Sequence, residues 1–135
     1  SDKDVVKKIE NFWKFLGANT VFLTPSQHDR FVSFTSHLPH FIIFQLLKTL
    51  SQEKERKTIE KCIGPGFLDT TRIGKSNAEM WTEIFLYNKE NILNTLSKFQ
   101  KEIEKTKKYL KGNDKKKILK EIETGKKWRE IIEKK

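Results

Sequence analysis

The feature of this sequence that most constrains its fold is an apolar stripe that recurs every three or four positions across residues 81–110. This spacing is typical of one face of an α-helix. The stripe consists of Trp81, Phe85, Asn88, Ile92, Leu96, Phe99, Ile103, Thr106 and Leu110. A helix of about 34 residues, starting at Asn77, would be roughly 50 Å long at 1.5 Å per residue. Because this exceeds the usual length of a globular helix, the stripe predicts intertwined packing against a partner chain.

A second helix is predicted to start at residues 24–27. Thr24 can cap this helix, Pro25 suits its first position and Gln27 completes a capping box. Pro39 lies inside the helix and lacks an N–H, so we expect a kink there. Residues 41–47 are apolar on nearly every side. Such a segment must be buried all round, which in so small a chain predicts burial against a second subunit.

The remaining sequence also predicts helices joined by short links. Residues 4–16 form an amphipathic helix with Gly17 as its stop, and residues 19–23 form an extended link. A polar linker with a short helix covers residues 51–63, and a last basic helix, interrupted by Gly125, follows the break at residues 112–114. The predicted class is all-α: an intertwined helical dimerisation domain with one kinked buried helix and one long helix. We assign residues 1–111 to this domain and residues 112–135 to a basic helical tail.

Charge and composition narrow the classes of function. A length of 135 residues corresponds to about one domain. The formal net charge of +10 is unevenly placed, since residues 101–135 carry 14 Lys and Arg against 7 Asp and Glu. A basic tail is not a basic surface, which argues against nucleic-acid binding. No apolar run reaches membrane-spanning length, no signal-peptide pattern opens the sequence, and Cys62 is the single cysteine. These features predict a cytoplasmic protein.

Residues 64–81 are predicted to form a glycine-bracketed loop that opens a helix. Gly64 and Gly66 permit backbone conformations that a Cβ would forbid. Ser76 and Glu79 have the spacing of a capping box at the start of the next helix. Residues 64–69 are superficially similar to a dinucleotide fingerprint, but no strand precedes them and Asp69 stands where the third glycine belongs.

The same loop carries side chains suited to binding an anion. Arg72 offers a fixed fork of donors that matches a carboxylate or a phosphate. Asp69 supplies an acceptor for local bonding, and Trp81 lies in the first turn of the helix that follows. These residues indicate either an anion-binding site or a tight connection between helices with Arg72 on the surface.

All three histidines, His28, His37 and His40, lie within thirteen positions. His37 and His40 are three residues apart, so they share one helix face near Pro39. A zinc site needs three or four suitably spaced ligands, and the sequence offers no such set, so we expect no metal. The histidines have either a structural role, satisfied by hydrogen bonds, or a role facing a substrate.

Taken in order, these motifs resemble the C-terminal domain of prephenate dehydrogenase. The matching residues are His28-Asp29, the SHLPH of residues 36–40, Gly66, the DTTRI of residues 69–73, Ser76, Met80-Trp81 and Asn88. The resemblance spans roughly residues 19–99. It implies an all-helical domain that pairs into an intertwined homodimer and follows an NAD(P)-binding Rossmann domain of the same chain, with the active site in the cleft between them.

The resemblance further implies an oxidoreductase that decarboxylates prephenate oxidatively to 4-hydroxyphenylpyruvate in tyrosine biosynthesis, with NAD or NADP. Arg72 and His40 are then the substrate contacts. The residues that shape the pocket or the subunit contact are His37, Asp69, Trp81 and Gly66. The family's catalytic histidine belongs to the nucleotide domain, so no catalytic residue is assigned here. The chain alone is expected to be inactive, with NAD(P) bound mainly by that N-terminal domain.

Two alternatives remain open. An arogenate or cyclohexadienyl dehydrogenase domain shares these motifs, which distinguish neither prephenate from arogenate nor NAD from NADP. A stand-alone helical module would instead bind nucleic acid or an acidic partner through the basic tail. Such binding would weaken with salt in proportion to the phosphates neutralised.

Overall fold

The computed structural model describes residues 2–134, so the outermost residues of the two predicted segments, 1 and 135, lie outside it. The described chain is built from eight α-helices, a π-helical turn and a 3-10 turn. In chain order they are α1 (Lys3–Phe15), α2 (Pro25–Val32), the π turn (Ser33–His37), α3 (Leu38–Ser51), α4 (Arg56–Lys61), α5 (Pro65–Thr70), the 3-10 turn (Arg72–Lys75), α6 (Ala78–Tyr87), α7 (Lys89–Lys111) and α8 (Lys115–Glu133). No β-strand occurs between residues 2 and 134, and the predicted all-α class is confirmed.

Local capping signals act as predicted at the first two helices. Gly17 follows α1 with φ of +83°, a left-handed conformation that glycine adopts without strain. The Thr24 hydroxyl accepts from the backbone N–H of Gln27 at 3.2 Å, and the Gln27 side chain accepts from the backbone N–H of Thr24 at 2.9 Å. This reciprocal pair, with Pro25 in the first turn, is the predicted capping box.

The irregularity expected at Pro39 takes the form of a π-helical turn on its N-terminal side. In this turn the backbone N–H of Leu38 donates to the carbonyl of Ser33, five residues earlier. The π turn therefore contains one residue more than an α-helical turn. Pro39 follows it in the first turn of α3, where its missing N–H is least costly. The two helical segments are joined through this wider turn.

Three predictions about the second half were wrong. The long helix is two helices, α6 and α7, because Asn88 leaves the helical conformation (φ −104°, ψ 27°) between them. The cap of α6 is Asn77, whose side chain accepts from Met80 N at 2.9 Å, whereas the Ser76 hydroxyl donates to a backbone carbonyl instead. Gly125 does not interrupt α8, because one glycine costs a helix only about 1 kcal/mol.

Residues 64–81 are largely helical rather than an open loop, since they contain α5, the 3-10 turn and the start of α6. The glycine with the closest approach to another helix in this segment is Gly74. A Cβ there would collide with Leu47 Cδ1 and lie 3.1 Å from Ile43 Cγ2, whereas a Cβ on Gly64 or Gly66 would meet open space. The 3-10 turn therefore packs directly against α3 through Gly74.

A buried pair of hydroxyls attaches the π turn to α7. Ser33 Oγ and Thr95 Oγ1 lie 2.8 Å apart, and both side chains are almost fully buried. Ser33 donates its single hydroxyl proton to the Arg30 carbonyl at 2.7 Å. Thr95 is consequently the donor in the pair, since each hydroxyl has only one proton to give.

One copy of the chain exposes much apolar surface. Its accessible area is 11,819 Å², whereas a compact monomer of 16.0 kDa is expected to expose about 7,400 Å². Within the predicted buried run of residues 41–47, only Ile43 is buried in a single copy. An open groove of about 520 Å³ lies between α3 and α7. Its lining residues are Phe41, Ile42, Gln45, Leu46, Thr49, Leu96, Phe99, Gln100 and Ile103.

None of the helices described is both long and apolar enough to cross a membrane.

Candidate functional site

The centre of the candidate site is a stack of two aromatic rings from different helices. The His40 imidazole of α3 lies on the Trp81 indole of α6, with ring centroids 3.6 Å apart and planes inclined by 22°. His40 Nδ1 donates to the Ser36 carbonyl at 2.9 Å, because a carbonyl oxygen can only accept. The orientation of the ring is therefore fixed by the stack and by this hydrogen bond, and Nε2 is the ring nitrogen that remains for another hydrogen bond.

Trp81 places an unpaired donor at the centre of this cluster. Its side chain is only 7% exposed, and its ring is flanked by His37 at 6.0 Å, Phe44 at 6.3 Å and Phe85 at 5.5 Å between centroids. The indole Nε1 is buried and has no hydrogen-bond partner anywhere in residues 2–134. A buried N–H without an acceptor costs about 1–3 kcal/mol, so the cluster leaves one donor unsatisfied beside His40.

His37 is the more buried of the two site histidines, with 9% of its surface exposed. Burial lowers the pKa of its imidazole below the ordinary value, and the nearby His40 lowers it further, against a smaller opposing effect from Asp29. Its Nδ1 lies 3.2 Å from the side-chain amide of Asn88. His37 is thus a predominantly neutral group at pH 7, in contact with the edge of the Trp81 ring.

Arg72 begins the 3-10 turn and is exposed. In the same turn, Gly74 packs against Ile43 and Leu47, which lie about one and two helical turns after His40 on α3. The turn thus runs beside the part of α3 that begins with His40. Arg72 makes no ion pair within the described chain, so its guanidinium is available for an external anion.

The structure brings together some of the predicted site residues and separates others. His37, His40 and Trp81 form one cluster. Asp69 and Gly66 lie instead on the exposed α5 helix, which contacts the 3-10 turn. His28 forms an exposed pair with Asp29, 3.0 Å apart. No group of three or more potential metal ligands is found among residues 2–134.

Two residues with structural roles near the site were underestimated from the sequence. Asn88 was placed in the apolar stripe, yet its side chain connects three different segments of the chain. A polar residue in an otherwise apolar stripe is the signal that points to such a role. Gly74 drew no prediction from the sequence, and only its close approach to α3 shows that a Cβ there would displace the end of the Leu47 side chain.

Comparison with known proteins identifies the family of the chain. The family model described as "Prephenate dehydrogenase, dimerization domain" matches residues 24–124. The prephenate dehydrogenase of Bacillus subtilis is 31% identical over 131 residues, covering 96% of this chain. The cyclohexadienyl dehydrogenase of Zymomonas mobilis is 30% identical over 108 residues, covering 78% of this chain. The chain spans only 35% and 37% of the lengths of these two relatives.

Solved structures share the fold. Prephenate dehydrogenase from Aquifex aeolicus, in complex with hydroxyphenyl propionate and NAD+, superposes with a TM-score of 0.85 at 31% identity, covering 98% of this chain and 46% of that one. Synechocystis arogenate dehydrogenase superposes with the same TM-score at 22% identity, covering 97% of this chain and 48% of that one, which supports the fold alone. The resemblance noted in the sequence is confirmed, and the chain belongs to the prephenate dehydrogenase dimerization-domain family.

Proposed function

We propose that this chain is the substrate-binding and dimerisation domain of a prephenate dehydrogenase, which oxidatively decarboxylates prephenate to 4-hydroxyphenylpyruvate in tyrosine biosynthesis. The observation that carries this proposal is the stack of His40 on Trp81, with an unpaired indole N–H at its centre. The family match and the relatives that are prephenate dehydrogenases support it. A biosynthetic enzyme of this kind acts in the cytoplasm.

The cluster of His37, His40 and Trp81, together with Arg72 on the neighbouring 3-10 turn, suits a substrate with two carboxylates. Arg72 carries a fork of N–H groups that can bind one carboxylate through two parallel hydrogen bonds. The half-buried His40, which stacks on Trp81, offers a further polar side chain on the neighbouring surface. His37, neutral and buried, shapes the pocket behind them. Asp69 and Gly66 on α5 would border the pocket or the subunit contact.

The nucleotide cofactor, NAD or NADP, would accept a hydride from the substrate. Residues 2–134 do not fit its pyrophosphate, because Gly64 and Gly66 open the short helix α5 after another helix and not after a strand. We therefore assign nucleotide binding and the catalytic residue to an N-terminal Rossmann domain of the intact enzyme. The 135-residue chain alone should be inactive and should show no micromolar affinity for NAD or NADP by calorimetry.

A homodimer is the second part of the proposal. The accessible area of one copy exceeds that of a compact monomer by roughly 4,400 Å². Obligate dimers bury roughly 1,000–2,500 Å² on each partner, so one copy exposes more than enough surface for such an interface. The groove between α3 and α7 is lined mainly by apolar side chains that a second copy would cover. Leu46→Glu places a charge in this groove, whereas Gln52→Glu adds the same charge just beyond the end of α3. Sedimentation equilibrium should show dissociation for the first variant only.

Arogenate, or a related cyclohexadienyl acid, is an alternative substrate, and the similarity to the cyclohexadienyl dehydrogenase of Zymomonas mobilis supports this broader class. The two substrates are distinguished by measuring reduced cofactor formation by the full-length enzyme with prephenate and with arogenate, each with NAD and NADP. Activity with arogenate alone would replace prephenate in the proposal. Activity with neither substrate would contradict the dehydrogenase function.

Arg72 provides the test of the site itself. Arg72→Ala should lower substrate affinity in the full-length enzyme by about tenfold to a hundredfold, which corresponds to one charge-assisted pair. Lys75→Ala is the matched control, since Lys75 is an exposed cation on the same 3-10 turn. Arg72→Lys should restore only part of the loss, because an ammonium cannot reproduce the fork. Unchanged KM and kcat in Arg72→Ala would remove Arg72 from the site.

A further inference from the structure

Asn88 occupies the break between α6 and α7, and its side chain reaches the start of the kinked helix. Its Nδ2 lies 2.8 Å from the Asp29 carbonyl oxygen and 3.2 Å from His37 Nδ1. Its Oδ1 accepts from Asn91 Nδ2 at 2.8 Å. A single amide therefore joins the break between α6 and α7 to α2 and to the π turn.

The orientation of the Asn88 amide follows from its neighbours. The atom that faces the Asp29 carbonyl must be a donor, because a backbone carbonyl only accepts. A rotated amide would place two acceptor oxygens 2.8 Å apart and would also turn a donor towards Asn91 Nδ2. Nδ2 is thus the atom shared between Asp29 and His37, and it donates one proton to each.

This orientation decides the protonation of the His37 ring. Nδ1 accepts a hydrogen bond from the Asn88 amide, so it must present its lone pair, and the ring proton of neutral His37 resides on Nε2. A second proton on Nδ1 would set two donors against each other at 3.2 Å. We propose that Asn88 is a positioning residue that holds His37 in the neutral form with its proton on Nε2.

The charged groups around His37 leave this assignment in place. His40 on the same face and His28 on α2 disfavour a positive charge on His37, and Asp29 on α2 favours one. One carboxylate oxygen of Asp29 lies 3.0 Å from His28 Nδ1, so Asp29 bonds to His28 and not to His37. The ring also packs nearly perpendicular to that of Trp81, which carries no charge.

A consequence for the site depends on the proposed function. If the pocket binds a dicarboxylate, a neutral His37 contributes a donor from Nε2 but no positive charge. Charge compensation then falls to Arg72, whose guanidinium makes no ion pair within the described chain.

The test uses the 15N-labelled 135-residue chain and needs neither substrate nor turnover. Long-range 15N–1H correlation spectra report which ring nitrogen of each histidine is protonated, and His37→Gln identifies the signals of His37. In the wild-type chain, neutral His37 should carry its proton on Nε2. In Asn88→Ala the pKa of His37 should rise by about half a unit to one unit, a threefold to tenfold gain in proton affinity.

Two further variants separate positioning from a general structural role. Asn88→Asp replaces the donor with a negative acceptor, so it should move the proton to Nδ1 and raise the pKa of His37 more than alanine does. Asn94 is an exposed asparagine on α7. Asn94→Ala should therefore leave the pKa of His37 within about 0.2 units of wild type.

Either of two results would overturn the proposal. A wild-type His37 with its neutral proton on Nδ1 contradicts it directly, even if every Asn88 variant fails to fold. A folded Asn88→Ala chain whose His37 keeps the wild-type pKa and tautomer contradicts it as well. Both results leave the dehydrogenase assignment untouched, and failure of that assignment would leave this measurement valid.

Discussion

His40 has two separable contributions, one to stability and one to substrate binding, and both can be measured. Its ring stacks on Trp81 with centroids 3.6 Å apart, an arrangement worth about 0.5–1.5 kcal/mol beyond area burial. Its Nδ1 donates to the Ser36 carbonyl, which contributes about another 0.5–1.5 kcal/mol. His40→Ala should therefore lower the free energy of unfolding by about 1–3 kcal/mol.

Two conservative variants assign these contributions. His40→Phe retains a ring that can stack on Trp81 but has no polar atom, so it should recover most of the stability and none of the substrate binding. His40→Asn keeps a donor but loses the stack, so it should remain less stable. In the full-length enzyme, kcat/KM for prephenate should fall at least about tenfold in His40→Ala and in His40→Phe.

Urea unfolding of the chain and steady-state kinetics of the full-length enzyme together decide between the two roles. If His40→Phe keeps kcat/KM within about twofold of wild type, the imidazole does not contact the substrate and His40 is purely structural. If His40→Ala leaves the unfolding free energy unchanged, the stack itself contributes nothing measurable. Each half of the reasoning can thus fail without the other.

Four further predictions concern stability. In a urea titration, Gly74→Ala should lower the free energy of unfolding by about 1–3 kcal/mol because its Cβ overpacks the surface of α3. Gly125 lies in open space within α8, so Gly125→Ala should raise the free energy of unfolding by up to about 1 kcal/mol in the same titration. Thr95→Val should cost about 1 kcal/mol, and a double-mutant cycle with Ser33→Ala should show positive coupling; strict additivity would contradict their hydrogen bond. The lowered pKa of His37 means that the folded chain binds fewer protons than the unfolded chain. Stability should therefore be complete above about pH 6.5 and decline as the pH falls below it, and His37→Gln should reduce that slope in urea titrations at several pH values.

Features decided by neighbours within one helical turn were predictable from the sequence. The capping box of Thr24 and Gln27, the left-handed Gly17 and the helical periodicities depend on residues three or four positions apart. Those contacts form in any chain with this local sequence, because backbone geometry alone brings the partners together. The order of the site motifs was equally visible, and it was sufficient to indicate the family.

Features decided by residues 40 to 60 positions apart required the tertiary structure. The apolar stripe predicts one long helix, but the amide of Asn88 bonds to Asp29 and His37, 59 and 51 residues away, and α6 ends there. The stacking of His40 on Trp81 likewise depends on how α3 and α6 pack. Local propensity cannot encode such pairs, because side-chain partners distant in sequence are selected only when packing removes both from water.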